Sequence, residues 1–134
     1  MKKIITLIIL LIILNGCSLF HNTETTKCTN DLTASIITIQ SRSGEIIKET
    51  SVTTTTLSRL NLTVANYYHY VAQTQERYGQ RPGFEINFER SDQIVVITII
   101  IDFSLFDNYE NLETDLQLLL EQLQESGYVC ILLD

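Results

Sequence analysis

The chain has 134 residues, three cysteines, two histidines, one proline and no tryptophan, with a formal net charge of −7. That length holds one small domain, which excludes the two lobes of a transporter's substrate-binding protein. The acidic balance repels phosphate backbones and anionic headgroups, so no nucleic-acid partner is expected.

Read in chain order, the first feature is an address. Lys2 and Lys3 precede an aliphatic run from Ile4 to Leu14, broken only by Thr6. Such a run has the length of a signal-peptide core and is too short to span a bilayer, which needs roughly 20 apolar residues. It ends Leu14-Asn15-Gly16-Cys17. Small residues before a cleavage point fit a peptidase cleft, and a cysteine just after it can accept a thioether-linked diacylglycerol. The pattern resembles the bacterial lipobox. It implies removal of residues 1–16 as a lipoprotein signal peptide, with Cys17 as the lipidated first residue of the mature chain. Several acyl chains anchor stably where one binds reversibly. The expected location is the extracytoplasmic face of the cell membrane, held by lipid and not by a spanning helix. Residues 17–26 read as the lipidated Cys and a polar tether, with His21 as solvated linker, and 27–134 as a single small domain. Loss of Lys2 and Lys3 with the leader leaves seven cations against sixteen carboxylates, a net charge of −9. A domain so charged is not expected to lie flat on the membrane.

Cys28 and Cys130 remain, one near each end of the domain. Outside the cytoplasm two such cysteines usually pair, and they are expected to form a disulfide on neighbouring strands. Two free thiols or a metal pair are the alternatives. A metal site needs more ligands than two cysteines and two scattered histidines, so no metal is expected.

Leu32 to Gln40 alternates and is rich in β-branched residues, which predicts a strand. Ser41 to Glu45 reads as a turn in which Gly44 is free to take positive φ. Ile46 to Leu57, unusually rich in threonine, is the second strand of a hairpin, and threonine suits a sheet with a wet face. Asn61 or Thr63 caps a helix running to about Tyr78. Its stripe of Leu60, Val64, Tyr67, Tyr68, Val71 and Tyr78 leaves His69 and Tyr70 outside. Gly79 to Gly83 breaks the helix. Phe84 to Arg90 alternates apolar and polar residues as a half-buried strand, and Gln93 to Phe103 is a strand apolar on both sides. Asp107 with Glu110 resembles a capping box, opening a helix to about Glu125. Its inner face is Tyr109, Leu112, Leu116, Leu119, Leu120 and Leu123, with Asp115, Leu118, Glu121 and Glu125 outside. Ser126-Gly127 ends that helix, and Tyr128 to Leu133 is a last strand holding Cys130. The order β-β-α-β-β-α-β defines an α+β class: a mainly antiparallel sheet with two helices packed on one face.

The leader, the glycine-turn hairpin with its Thr50 to Thr56 strand, the helix, and the strand from Val95 to Phe103 together resemble the YehR-like small bacterial lipoproteins. This is a family of unknown function. The likeness runs from Lys2 to Cys130, and the leucine-rich last helix departs from it. It implies the fold and the address, and brings no functional residues.

The chemistry inventory is sparse. There is no nucleophile elbow, no glycine-rich phosphate loop and no His-Glu zinc helix. Asp102, at the end of an apolar strand, is expected to be satisfied by backbone N–H groups. No catalytic residue and no cofactor is expected, and the chain is not expected to be an enzyme. The expected role is a membrane-anchored binding or interaction protein of the cell envelope, with an envelope protein as partner. The alternative is a hydrolase-like envelope enzyme built on an unrecognised carboxylate site.

Overall fold

The computed structural model describes residues 22–105 and 112–133. Six strands form one sheet: β1 (Glu24–Asn30), β2 (Ser35–Arg42), β3 (Glu45–Thr56), β4 (Phe84–Ser91), β5 (Ile94–Asp102) and β6 (Val129–Leu133). Helix α1 (Val64–Tyr78) joins β3 to β4, and α2 (Leu116–Glu125) precedes β6. The strand order is β4-β5-β3-β2-β1-β6, and all neighbours are antiparallel. The class is α+β with both helices on one face, as expected. The observed order is β-β-β-α-β-β-α-β, with one strand more at the start.

That extra strand is β1. Glu24 to Thr26 stand in the stretch read as tether, yet they pair in full register with β2, from Glu24 opposite Ser41 to Asn30 opposite Ser35. Strand β1 therefore brings Glu24 to Thr26 into the sheet. Its alternation was hidden because the inward residues are Thr26, Cys28 and Asn30, none of them aliphatic, and all three are buried. Asn30 also fixes the turn that follows. Its side-chain oxygen accepts from the N–H of Leu32 and Thr33, and its Nδ2 donates to the carbonyl of Ser126 at the end of α2.

The β2–β3 hairpin turns on Ser43-Gly44, at φ 54° and 81°. Two successive positive φ values are the mirror-image turn whose twist matches a two-residue hairpin, and glycine takes one at no steric cost. A register shift at Gln40/Ser41 marks a β-bulge. Thr63 caps α1 by accepting from Asn66 N–H, while the Asn66 side chain accepts from Thr63 N–H. Asp115, expected on the outer face of the second helix, is instead its cap and accepts from Leu118 N–H. The last helix thus starts at Leu116. Leu112 lies before it but still packs against the core. Asp107, Tyr109 and Glu110 lie outside the described residues. At the other end, Tyr128 N–H donates to the Leu123 carbonyl and Gly127 N–H to Gln124, with Gly127 at φ 87°. This is the glycine C-cap that Ser126-Gly127 predicts.

Directly paired residues share a face of the sheet. The covered face carries two separate cores. One gathers Cys28, Ile37, Ile39, Ile46 and Phe103 beneath Leu116, Leu119, Leu120 and Leu123 of α2. The other gathers Leu57, Tyr67 and Val95, with Val71, Phe88 and Ile97, beneath α1. The central strand β3 meets both at its ends, with Ile46 in the first core and Leu57, just past Thr56, in the second. Its residues on that face are Glu49, Ser51 and Thr53, opposite Ile39, Ile37 and Ser35 on one side and Ile101, Ile99 and Ile97 on the other. A polar stripe therefore divides the covered face.

Candidate functional site

Among the described residues, nothing covers the side of the sheet away from the helices. Its residues follow from the pairing. One row runs Asn87, Thr98, Val52, Ile36, Thr29, Val129, and the next runs Glu85, Ile100, Thr50, Thr38, Lys27, Ile131. Thr54 and Thr56 extend the threonine column of β3 beside Val96 and Ile94. The result is a broad plane of threonine, valine and isoleucine, with charge at Lys27, at Lys48, Asp102, Arg42 and Glu45 toward one end, and at the glutamates of β4. Threonine holds such a plane together: its methyl packs across strands and its hydroxyl stays hydrated, so the face tolerates water without losing β propensity. The threonines of β3, which suit a sheet with a wet face, divide between its two faces. Thr54 and Thr56 point outward, whereas Thr53 sits on the helix side, its hydroxyl bonded to that of Ser35 at 3.0 Å.

The open face ends in charge. Lys48 lies opposite Asp102, and both line a shallow cavity of about 250 Å³ with Glu85, Phe84, Ile100 and Leu105. Asp102 Oδ1 accepts from the N–H and the hydroxyl of Ser104, at 3.0 and 2.5 Å. The carboxylate is thus engaged in closing the strand end, by one backbone N–H as expected and by a hydroxyl in addition. A second carboxylate stands apart from this group. Glu49, on the polar stripe of the covered face, is largely enclosed, and burial raises its pKa above the ordinary glutamate value. A glutamate between Lys48 and Thr50 gave no sign of this in the sequence; only the pairing with Ile39 and Ile101 reveals it.

The residues singled out from sequence fall as follows. Cys28 and Cys130 stand directly opposite on β1 and β6 and form a disulfide, with Cα atoms 4.0 Å apart. Cys17 and His21 lie outside the described residues. His69 is exposed on α1, away from either core. In the tyrosine run around it, Tyr67 is buried as expected, but Tyr68 and Tyr70 exchange places. Tyr68 is 66% exposed, while the Tyr70 ring meets the edge of Phe88 at 5.8 Å. A step of three residues along a helix turns 300°, so Tyr70 stays near the inward side where Tyr68, one step on, does not. Tyr68 has a different partner: the Arg90 guanidinium lies 5.5 Å from the Tyr67 ring and 5.8 Å from that of Tyr68. Its Nη1 donates to the Asp92 carbonyl. This clasp ties α1 to the β4–β5 turn. No group of three potential metal-ligating side chains occurs among the described residues.

The comparisons with known proteins add fold and nothing further. No family model matches the chain, and neither does any curated protein. Among solved structures, the chain is similar to the YehR protein of E. coli, with a TM-score of 0.62 at 15% identity over 87% of this chain and 96% of that one. It is also similar to a protein from Streptococcus pneumoniae TIGR4, with a TM-score of 0.54 at 14% identity over 82% and 86%. The YehR-like fold expected from the sequence is therefore present. At such identities the likeness extends to architecture and not to chemistry.

Proposed function

We propose that the mature chain is an extracytoplasmic lipoprotein, anchored in the cell membrane through Cys17, whose domain binds a partner in the cell envelope. The observation that carries the address is the pairing of Cys28 with Cys130 in a chain whose leader ends in Gly16-Cys17. Disulfides persist in oxidising compartments and are rare in the cytosol, so the staple supports the export that the leader implies. Strand β1 begins at Glu24, leaving only Ser18 to Thr23 as tether. Six residues reach at most about 22 Å, which keeps the domain close to its membrane. The surface best suited to a partner is the open sheet face, broad, uncovered by either helix and nearly free of charge at its centre.

Two measurements test this. Fatty-acid labelling should mark the wild-type chain and not Cys17→Ser; equal label in both removes the anchor. Cross-linking in intact envelopes should join the wild-type domain to a partner, and Thr38→Lys with Thr50→Lys, in the middle of the open face, should lose that adduct. An adduct unchanged by the double variant moves the binding surface elsewhere.

A further inference from the structure

The two edges of the sheet differ. Strand β4, at one edge, carries Glu85, Glu89 and Arg90. Charges on an edge strand are a common guard against pairing with another chain. Strand β6, at the other edge, reads Val-Cys-Ile-Leu-Leu with no charge at all. Val129, Ile131, Leu132 and Leu133 are 69%, 55%, 60% and 41% exposed. In a chain this acidic, an uncharged, fully apolar edge is the place where two copies can meet without like charges facing each other.

The ladder sets how they would meet. The short Cα separation of Cys28 and Cys130, 4.0 Å, marks a non-hydrogen-bonded antiparallel pair. The neighbouring pairs Thr29–Val129 and Lys27–Ile131 are then the hydrogen-bonded ones, so Val129 and Ile131 turn their backbone groups toward β1. Cys130 and Leu132 turn theirs outward, to the free edge. We propose that β6 pairs antiparallel with β6 of a second copy about a two-fold axis at Ile131. In that register Cys130 bonds to Leu132 of the second copy and Leu132 to its Cys130, so every outward N–H and C=O of both residues is satisfied. Ile131 meets its own counterpart as a narrow pair, and Val129 meets Leu133 on the same face. The match is self-complementary, as an isologous contact must be. The cations closest to the axis, Lys27 of each copy, stand about 14 Å apart across three strand spacings, beyond the screening length of physiological salt. The inference does not depend on the lipid anchor or on any partner of the open face.

Cysteine cross-linking of the full chain tests it, because narrow antiparallel pairs are within disulfide reach. Under mild oxidation Ile131→Cys should give a covalent dimer linked 131 to 131 by peptide mapping, at least tenfold above Asn87→Cys on the other edge. Adding Leu132→Pro should abolish the dimer, since proline there removes an outward N–H and leaves the β1–β6 ladder whole. Adding Val129→Lys, which leaves the backbone unchanged, should also suppress it by setting a charged side chain against the apolar Leu133 of the second copy. Cross-linking no greater than at position 87, a dimer indifferent to both added substitutions, or an adduct of Ile131→Cys with a different protein would overturn the proposal.

Discussion

The two cores under the helices are built differently on the same sheet. The core beneath α2 is aliphatic and stapled: Ile37, Ile39 and Ile46 close around the Cys28–Cys130 disulfide, and Asn30 bonds to the end of the helix. The core beneath α1 is smaller and aromatic, with Tyr67 buried on Leu57 and Val95, Tyr70 against Phe88, and Arg90 over two tyrosine rings. Strand β3 joins the two at its ends, through Ile46 and the adjoining Leu57, and between those ends turns Glu49, Ser51 and Thr53 toward the helices. A sheet continuous in hydrogen bonds is thus discontinuous in its apolar packing. The lesson is that backbone pairing can hold together two hydrophobic units that share little side-chain contact.

The largest effect expected falls on the stapled half. Replacing Cys28 and Cys130 by alanine should cost about 2–5 kcal/mol, the usual range for a native disulfide in a small domain. Amide exchange should accelerate most in β1, β6 and α2, with β4 and β5 protected longer. Uniform loss of protection in both halves would show one cooperative unit and break the distinction. Single truncations sharpen it. Ile39→Ala in one core and Leu57→Ala in the other remove fully buried side chains and should each cost about 2–5 kcal/mol. If the polar stripe separates the cores, the double variant should equal the two singles to within about 0.5 kcal/mol in urea unfolding. A coupling well above that value would mean that the cores communicate.

Smaller effects are expected along α2. None of its residues is fully buried. Leu116 and Leu119 are half-buried and Leu118 is 49% exposed. Leu119→Ala should cost about 1–2 kcal/mol, less than a fully buried leucine, and Leu118→Ala under about 0.5 kcal/mol. Equal losses at the two positions would place Leu118 against a surface, and the acidic outer side of α2 would need a partner.

Much of this architecture is legible in the sequence because its signals are strong and local. Period-two alternation in Phe84 to Arg90, a cap that falls on Thr63 of the two candidates Asn61 and Thr63, and the Ser126-Gly127 stop each stand where the sequence places them. What escaped has physical reasons. Strand β1 buries threonine, cysteine and asparagine, so its inward positions do not look apolar, and one of its two neighbours, β6, lies about a hundred positions away in the chain. Tyr68 and Tyr70 are one residue type on one helix turn, and only the position of Arg90 and Phe88 decides which one faces the sheet. The open face and the polar stripe depend on which threonines pair across strands. The bulge at Gln40/Ser41 changes that phase in a way composition does not reveal.

Glu49, flanked by Ile39 and Ile101 of the first core, gives the smallest and most specific test of the polar stripe. Burial raises its pKa, so between the ordinary value of 4.5 and the raised folded value the native chain binds a proton that the unfolded chain has released. Stability therefore falls as pH rises through that window and levels off once the carboxylate is ionised in the fold. Glutamine has the same shape and no charge to desolvate. Glu49→Gln should match the wild type in acid, below the unfolded value, and exceed it at neutral pH. Urea midpoints of both proteins across pH 3.5 to 7 measure the difference, and the other carboxylates cancel because both chains carry them. A gap that stays constant with pH, or one that favours glutamate at neutral pH, would mean that Glu49 is solvated or paired when folded. The polar stripe would then be wet beside the first core, and the covered face would admit water next to Ile39 and Ile101.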